Sequence, residues 1–212
     1  MSKQEQAVLD FFSQEENLTL ALAVADQTDE IRQRMNNAFW LALQDRISTL
    51  VQTLELPWQV AVTEDRNAAE ALVGLHLQPV AEQTLFLRPM LEQQLLGNTL
   101  RIYYGLAWST APTPEHTRLA EVAALHEAFQ SAGYKTSTDF LAWQWTPYYP
   151  RRRDFLLRFS TEEDKLLDEV TGLLQGLLQT HGTALQLANN TLRSAPRSAT
   201  VSLNKLRANL PH

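Results

Sequence analysis

Between residues 29 and 54 the apolar side chains Ile31, Met35, Ala38, Phe39, Ala42, Ile47, Leu50 and Leu54 recur every three or four positions. That spacing lines one side of an α-helix, and Arg32, Asn36, Gln44, Asp45 and Gln52 fall mostly off the stripe, toward water. Thr28 stands where a side-chain oxygen caps a helix start, and Leu56-Pro57 ends the run, because proline drives the preceding residue out of helical geometry. At ~1.5 Å per residue the predicted helix is about 39 Å long, enough to back a small sheet. Upstream, residues 4–14 read as a short helix with Ala7, Val8, Phe11 and Phe12 on one side, and residues 18–24 form an apolar patch of either type.

After Pro57 the period falls to two. Residues 58–63, 72–77, 84–88 and 99–108 alternate or run rich in β-branched and aromatic residues, the pattern of strands. The links between them are short: Gly97-Asn98 marks a turn, and 67–71 and 90–96 hold a helical turn or two at most. Short links favour antiparallel neighbours. The helical period then returns. Thr113-Pro114 supplies a cap and a proline at the first helical position, Leu119, Val122, Ala123, His126 and Phe129 make a stripe, and Gly133 stops it. Residues 134–159 are irregular and aromatic. Ser160-Thr-Glu-Glu163 has the form of a capping box, ahead of a stripe from Leu166 to Leu178. Gly182 breaks or caps that helix, and 184–192 form another short one.

Helices, then strands, then helices predict an α+β fold. We expect an antiparallel β-meander of three to four strands covered by long N- and C-terminal amphipathic helices. Residues 1–192 form one domain in this reading, with 1–28 a loosely attached helical arm and 193–212 a flexible basic tail.

Composition narrows the classes. With 44% hydrophobic and 20% charged residues the chain is ordinary globular material. The absence of cysteine excludes disulfides, thiol catalysis and thiolate metal sites, and fits a reducing compartment. No signal-peptide pattern opens the chain, and the longest apolar-rich stretch, 18–25, is far short of the ~20 residues that a membrane span needs. The expectation is a cytoplasmic protein with no membrane partner. A net charge of −6 argues against nucleic acid coating the whole surface. The charge is uneven, however: no acid follows Glu169, whereas Arg193, Arg197, Lys205 and Arg207 do.

Motifs for chemistry are scarce. The histidines at 76, 116, 126, 181 and 212 lack i,i+3 or i,i+4 partners, so they read as hydrogen-bonded structural residues, and no metal or cofactor is expected. There is no nucleophile elbow, phosphate loop or dinucleotide turn. Gly172 and Gly176 are spaced for close helix packing. Asp154, Glu163 and Lys165 mimic the Asp…Glu-x-Lys set of metal-dependent nucleases, but that set needs Glu163 and Lys165 on a strand, where i and i+2 share a face. In a helical first turn those acids answer to the helix dipole instead. No catalytic residue is therefore assigned. The densest feature is Trp143-Gln-Trp-Thr-Pro-Tyr-Tyr-Pro-Arg-Arg-Arg153. Rings and guanidinium groups together bind phosphates, stacked bases or carboxylates. Trp143, Trp145, Tyr148, Tyr149, Arg151, Arg152 and Arg153 are the candidate ligand- or partner-binding residues. A competing account makes the aromatics core plugs and pairs the arginines with the chain's own acids.

Ala38-Phe-Trp40, Leu100-Arg-Ile-Tyr-Tyr-Gly-Leu106 and Phe140-Leu-Ala-Trp143 together give the region 36–159 a family likeness. It resembles the region C-terminal to the catalytic domain in bacterial PD-(D/E)XK nuclease-superfamily proteins of the phage-defence type. The nuclease motif itself is absent, so no catalytic residue carries over. The resemblance implies an accessory or partner-recognition module of a phage-defence or restriction-like system. We therefore expect a non-catalytic interaction protein that binds a protein partner or associates with itself as a homo-oligomer. The alternatives are a nucleic-acid-associated module using Arg151–Arg153 and the basic tail, and a divergent metal-dependent nuclease.

Overall fold

The computed structural model describes residues 2–64, 72–96 and 99–194. Helix α1 (Lys3–Phe12) starts on a capping box: the Ser2 hydroxyl accepts from the Glu5 amide while the Glu5 carboxylate accepts from the Ser2 amide. Helix α2 (Glu15–Thr53) is a single rod of 39 residues and begins well before the expected start. Thr28 does not cap it. Its hydroxyl donates back to the Val24 carbonyl at 2.9 Å, which keeps it inside the helix. Burial along α2 begins at Asn36 and continues through Phe39, Trp40, Leu43, Ile47 and Val51.

Five strands follow: β1 (Trp58–Glu64), β2 (Leu72–Pro79), β3 (Leu87–Leu96), β4 (Thr99–Trp108) and β5 (Phe140–Trp145). They pair antiparallel in chain order, β1-β2-β3-β4-β5. The α+β meander is as expected, with one strand more than the three to four anticipated. The third strand also sits later than 84–88. Pro89 and the polar run Glu92-Gln-Gln94 obscure it, but β2 pairs only with Met90–Glu92, so the proline's missing N–H lies outside that ladder. Between β4 and β5 come α3 (Pro114–Thr117) and α4 (Ala120–Ser131). Gly133 at φ +83° closes α4 as the sequence implies, its amide donating to Gln130 and that of Tyr134 to Phe129. Helices α5 (Arg153–Thr161) and α6 (Glu163–Ser194) complete the described chain.

One face of the sheet is roofed by α2, α4, α5 and α6, as the periodicities require. Even-numbered side chains of β4 (Ile102, Tyr104, Leu106, Trp108) and odd ones of β2 and β3 (Leu75, Leu77, Leu87, Leu91) enter this core. Phe39 meets Phe155 and Phe159 edge-on at 5.0 and 5.7 Å. Two polar clips cross the interface. Trp40 Nε1 donates to Gln93 Oε1 at 2.9 Å. Asn189 accepts from the Leu87 amide at 2.7 Å and donates to the Leu87 carbonyl at 2.9 Å.

Helix α6 departs from expectation at both ends. Ser160 lies inside α5, so the capping box does not form, and Glu163 and Asp164 occupy the first turn of α6. The helix runs through Gly182 to Ser194, burying Leu185, Ala188, Asn189 and Leu192. A methyl group at Gly172, Gly176 or Gly182 would meet nothing within 4 Å, so close packing is not why those glycines stand there. Among the described residues no helix is long and apolar enough to cross a membrane. The opposite face of the sheet is not bare: Met90, Tyr103, Ala107 and Phe140 form a second buried cluster, with Trp143 and Trp145 against it.

Candidate functional site: a ladder of rings and cations

Strand β5 lies at the sheet edge, its register setting Trp143 opposite Gly105 and Trp145 opposite Tyr103. Gly105 is at φ +155°, and a Cβ there would fall 2.1 Å from the Ala142 carbonyl oxygen. Only glycine lets β4 and β5 approach this closely. The two tryptophans therefore stand side by side on the face away from the helices, centroids 5.4 Å apart and edge-on. Tyr103 braces both, at 6.2 and 5.5 Å, and its hydroxyl donates to the buried Glu92 carboxylate at 2.6 Å.

Cations continue the row in both directions. The Lys135 ammonium sits 5.3 Å over Trp143, held there by a pair of backbone bonds, each 2.8 Å, between residues 135 and 143. The Arg101 guanidinium lies 5.2 Å from the Trp145 ring and 5.3 Å from the Tyr149 ring, while its Nε donates to the Thr146 carbonyl at 2.8 Å. Arg152 stacks on Tyr149 at 3.8 Å. The sequence is thus Lys135, Trp143, Trp145, Arg101, Tyr149, Arg152. Arg151 and Arg153 flank its end, and all three arginines of the triplet are exposed. Among the described residues, none of Arg101, Lys135, Arg151, Arg152 and Arg153 pairs with a carboxylate. Within the described residues, therefore, the arginine triplet is not neutralised by the protein's own acids. The Trp143 indole N–H is buried with no acceptor among the described residues.

Tyr148 parts from its neighbours. Its ring packs toward the helices at 6.4 Å from Phe155, and its hydroxyl donates to Glu169 at 3.2 Å. Burial and then the Glu169 charge push this hydroxyl's pKa up. Glu169 also accepts from Arg158 at 2.5 Å, which holds its carboxyl below the usual range. The structure brings Trp143, Trp145, Tyr149 and Arg152 together, leaves Arg151 and Arg153 exposed as chain neighbours of Arg152, and turns Tyr148 inward. Arg101, Lys135 and Tyr103 join from elsewhere in the sequence, where no motif marks them.

The other residues singled out from the sequence have the following surroundings. His76 Nδ1 lies 3.1 Å from the Thr63 hydroxyl, His116 Nδ1 accepts from the Thr113 amide at 3.1 Å, and His126 Nε2 meets the Thr136 hydroxyl at 2.8 Å. His181 stacks on Phe129 at 4.1 Å, and burial lowers its pKa. Asp154, Glu163 and Lys165 sit in first turns of helices rather than on a strand, and Lys165 pairs with Glu162 at 3.2 Å. None of the three therefore lies on a strand, where i and i+2 share a face. Among the described residues no three His, Asp or Glu side chains gather as a metal site. The turn at 97–98, the link 67–71, His212 and the basic tail from 195 lie outside the described residues, as do Arg197, Lys205 and Arg207.

No family model, no curated protein and no solved structure matches this chain. The segments that carry the nuclease-superfamily resemblance fall on α2, on β4 and on β5.

Proposed function

We propose that this chain is an interaction protein whose working surface is the ring-and-cation ladder along β5, and that the surface holds a single-stranded nucleic acid. The observation that carries the reading is the set of five cations that, among the described residues, have no acidic partner, on a protein of net charge −6. Cations that no described carboxylate neutralises, on an acidic body, suit an anion from outside. Arg101 and Arg152 are held against rings, so their donors are arranged before any ligand arrives and less entropy is lost on binding. Interleaved rings favour a strand with bases over a purely carboxylate partner, because every base has a face to stack. The resemblance noted from the sequence adds the expectation that such a module serves a phage-defence or restriction-like system as an accessory.

Fluorescence anisotropy with labelled 20-nucleotide DNA and RNA strands tests the reading. Binding should weaken steeply with salt, with a log–log slope of roughly −0.7 per phosphate contacted. R151E/R152E/R153E and Arg101→Gln should each weaken it at least tenfold, and poly-glutamate of matched charge should compete poorly. No anisotropy change at 50 mM salt, or equal competition by poly-glutamate, would refute it.

A further inference from the structure

The sheet face away from the helices is buried, yet every member of its cluster, from Met90 and Tyr103 to Ala107 and Phe140, is a strand residue. Met90 is 0% exposed, Ala107 2% and Phe140 3%. By strand alternation His76, Arg88 and Glu92 share this face, and they are buried as well. Side chains standing on an open sheet shade one another but leave their tips in water. Another segment of the chain therefore lies over them. Among the described residues no helix or strand does: α2, α4, α5 and α6 line the opposite core, α1 lies along α2, and α3 lies against α4.

Outside the described residues stand Met1, the links 65–71 and 97–98, and the segment 195–212. The first link begins and ends at Glu64 and Leu72, two positions beyond Gly74, which pairs with Glu92. Folded back, it reaches at most about 13 Å, while Arg88 stands roughly 20 Å from its roots. The second link is shorter still. The C-terminal segment has both the length and the starting point. Asn189 of α6 is clipped to Leu87, next to Arg88. One turn later Arg193 reaches Gln83 at 3.5 Å and lines a cleft with Pro57, Trp58 and Pro79. The chain thus leaves α6 at the sheet rim, at the Arg88 end, and 18 extended residues from there span about 60 Å. Its pattern also suits an apolar floor: Val201 and Leu203 alternate with Thr200, Ser202 and Asn204. We infer that residues 195–212 form a strap that docks on the sheet face opposite the helices, with Val201 and Leu203 turned toward Met90 and Phe140.

Hydrogen exchange of the full chain tests this, independently of the ladder's ligand. Amides between 199 and 206 should exchange about 100-fold more slowly than in an open chain. V201D/L203D should restore open-chain rates there, whereas T200D/S202D should keep the protection. Because the chain has no native cysteine, disulfide scanning supplies a second readout on the otherwise unaltered chain. Gln78→Cys, on the strapped face beside Arg88, should cross-link under oxidation to a cysteine placed at one or more of positions 199–206. Leu157→Cys, 54% exposed on α5 at the helix side, should not. Open-chain exchange in the wild type, protection that survives V201D/L203D, or cross-linking to position 157 as readily as to 78 would each overturn the inference. So would protection confined to a dimer on sedimentation, which would assign the cover to a second copy.

Discussion

Asn189→Ala should loosen the join between α6 and the sheet, and its cost can be worked from four atoms. Strand β2 pairs with β3 only over Met90–Glu92, so the Leu87 N–H and C=O on that side lack a strand partner. The Asn189 amide stands in for one, at 2.7 and 2.9 Å, with Leu87 fully buried and Asn189 only 5% exposed. Alanine would strand two buried backbone groups, each costing about 1–3 kcal/mol of lost hydrogen bonding and desolvation. Allowing for some water reaching the vacated space, we expect about 3 kcal/mol. At roughly 2–4 °C per kcal/mol for a chain this size, the melt should fall by roughly 6–12 °C. Asn189→Asp should cost at least as much, since it removes the donor and sets a carboxylate against a carbonyl. Urea unfolding followed at 222 nm measures both, with exposed Asn190→Ala as the control, expected within about 0.5 kcal/mol of wild type. A loss below 1 kcal/mol for Asn189→Ala would mean that the clip is not holding the helix.

Two further substitutions probe the core. Asn36 is fully buried with neither amide atom hydrogen-bonded among the described residues, so Asn36→Leu should raise the free energy of unfolding in urea by about 1–2 kcal/mol through removal of that unsatisfied polarity; a lowered value contradicts it. His181, stacked on Phe129, has a folded pKa depressed by burial below 6.5. The unfolded ring therefore protonates first as pH falls, so this stability is intact above 6.5 and declines below it. His181→Leu should erase that decline, and an identical pH profile in the variant would refute the assignment.

What the sequence disclosed follows from where each pattern originates. Strand β4 matches its predicted bounds because its alternation belongs to the strand itself, one face for the helices and one for the second cluster. Strand β5 hides because Phe-Leu-Ala-Trp-Gln-Trp is apolar on both faces, and its partner β4 lies beyond two intervening helices. The start of α2 is not legible because a threonine hydroxyl can cap a helix or bond back into one, and the residue type does not say which. In the ladder, Trp143, Trp145, Tyr149 and Arg152 announce themselves by adjacency. Arg101 and Lys135 do not, since only the β4–β5 register and the backbone bridge at 135 bring them in. Tyr148 shows the converse: adjacency suggested a shared surface, but its ring points to the other side of the sheet.

The unbroken course of α2 has a geometric consequence. The same helix that carries Trp40 in the core carries Leu20 in the arm, with no hinge between them, so rotation at one end is rotation at the other. Inserting a single residue near position 30 would swing the whole sheet by about 100° around the axis of the rod, while four would bring it nearly back into phase. The helix thus acts as a drive shaft, and whatever grips its tip also fixes the compass heading of the ladder.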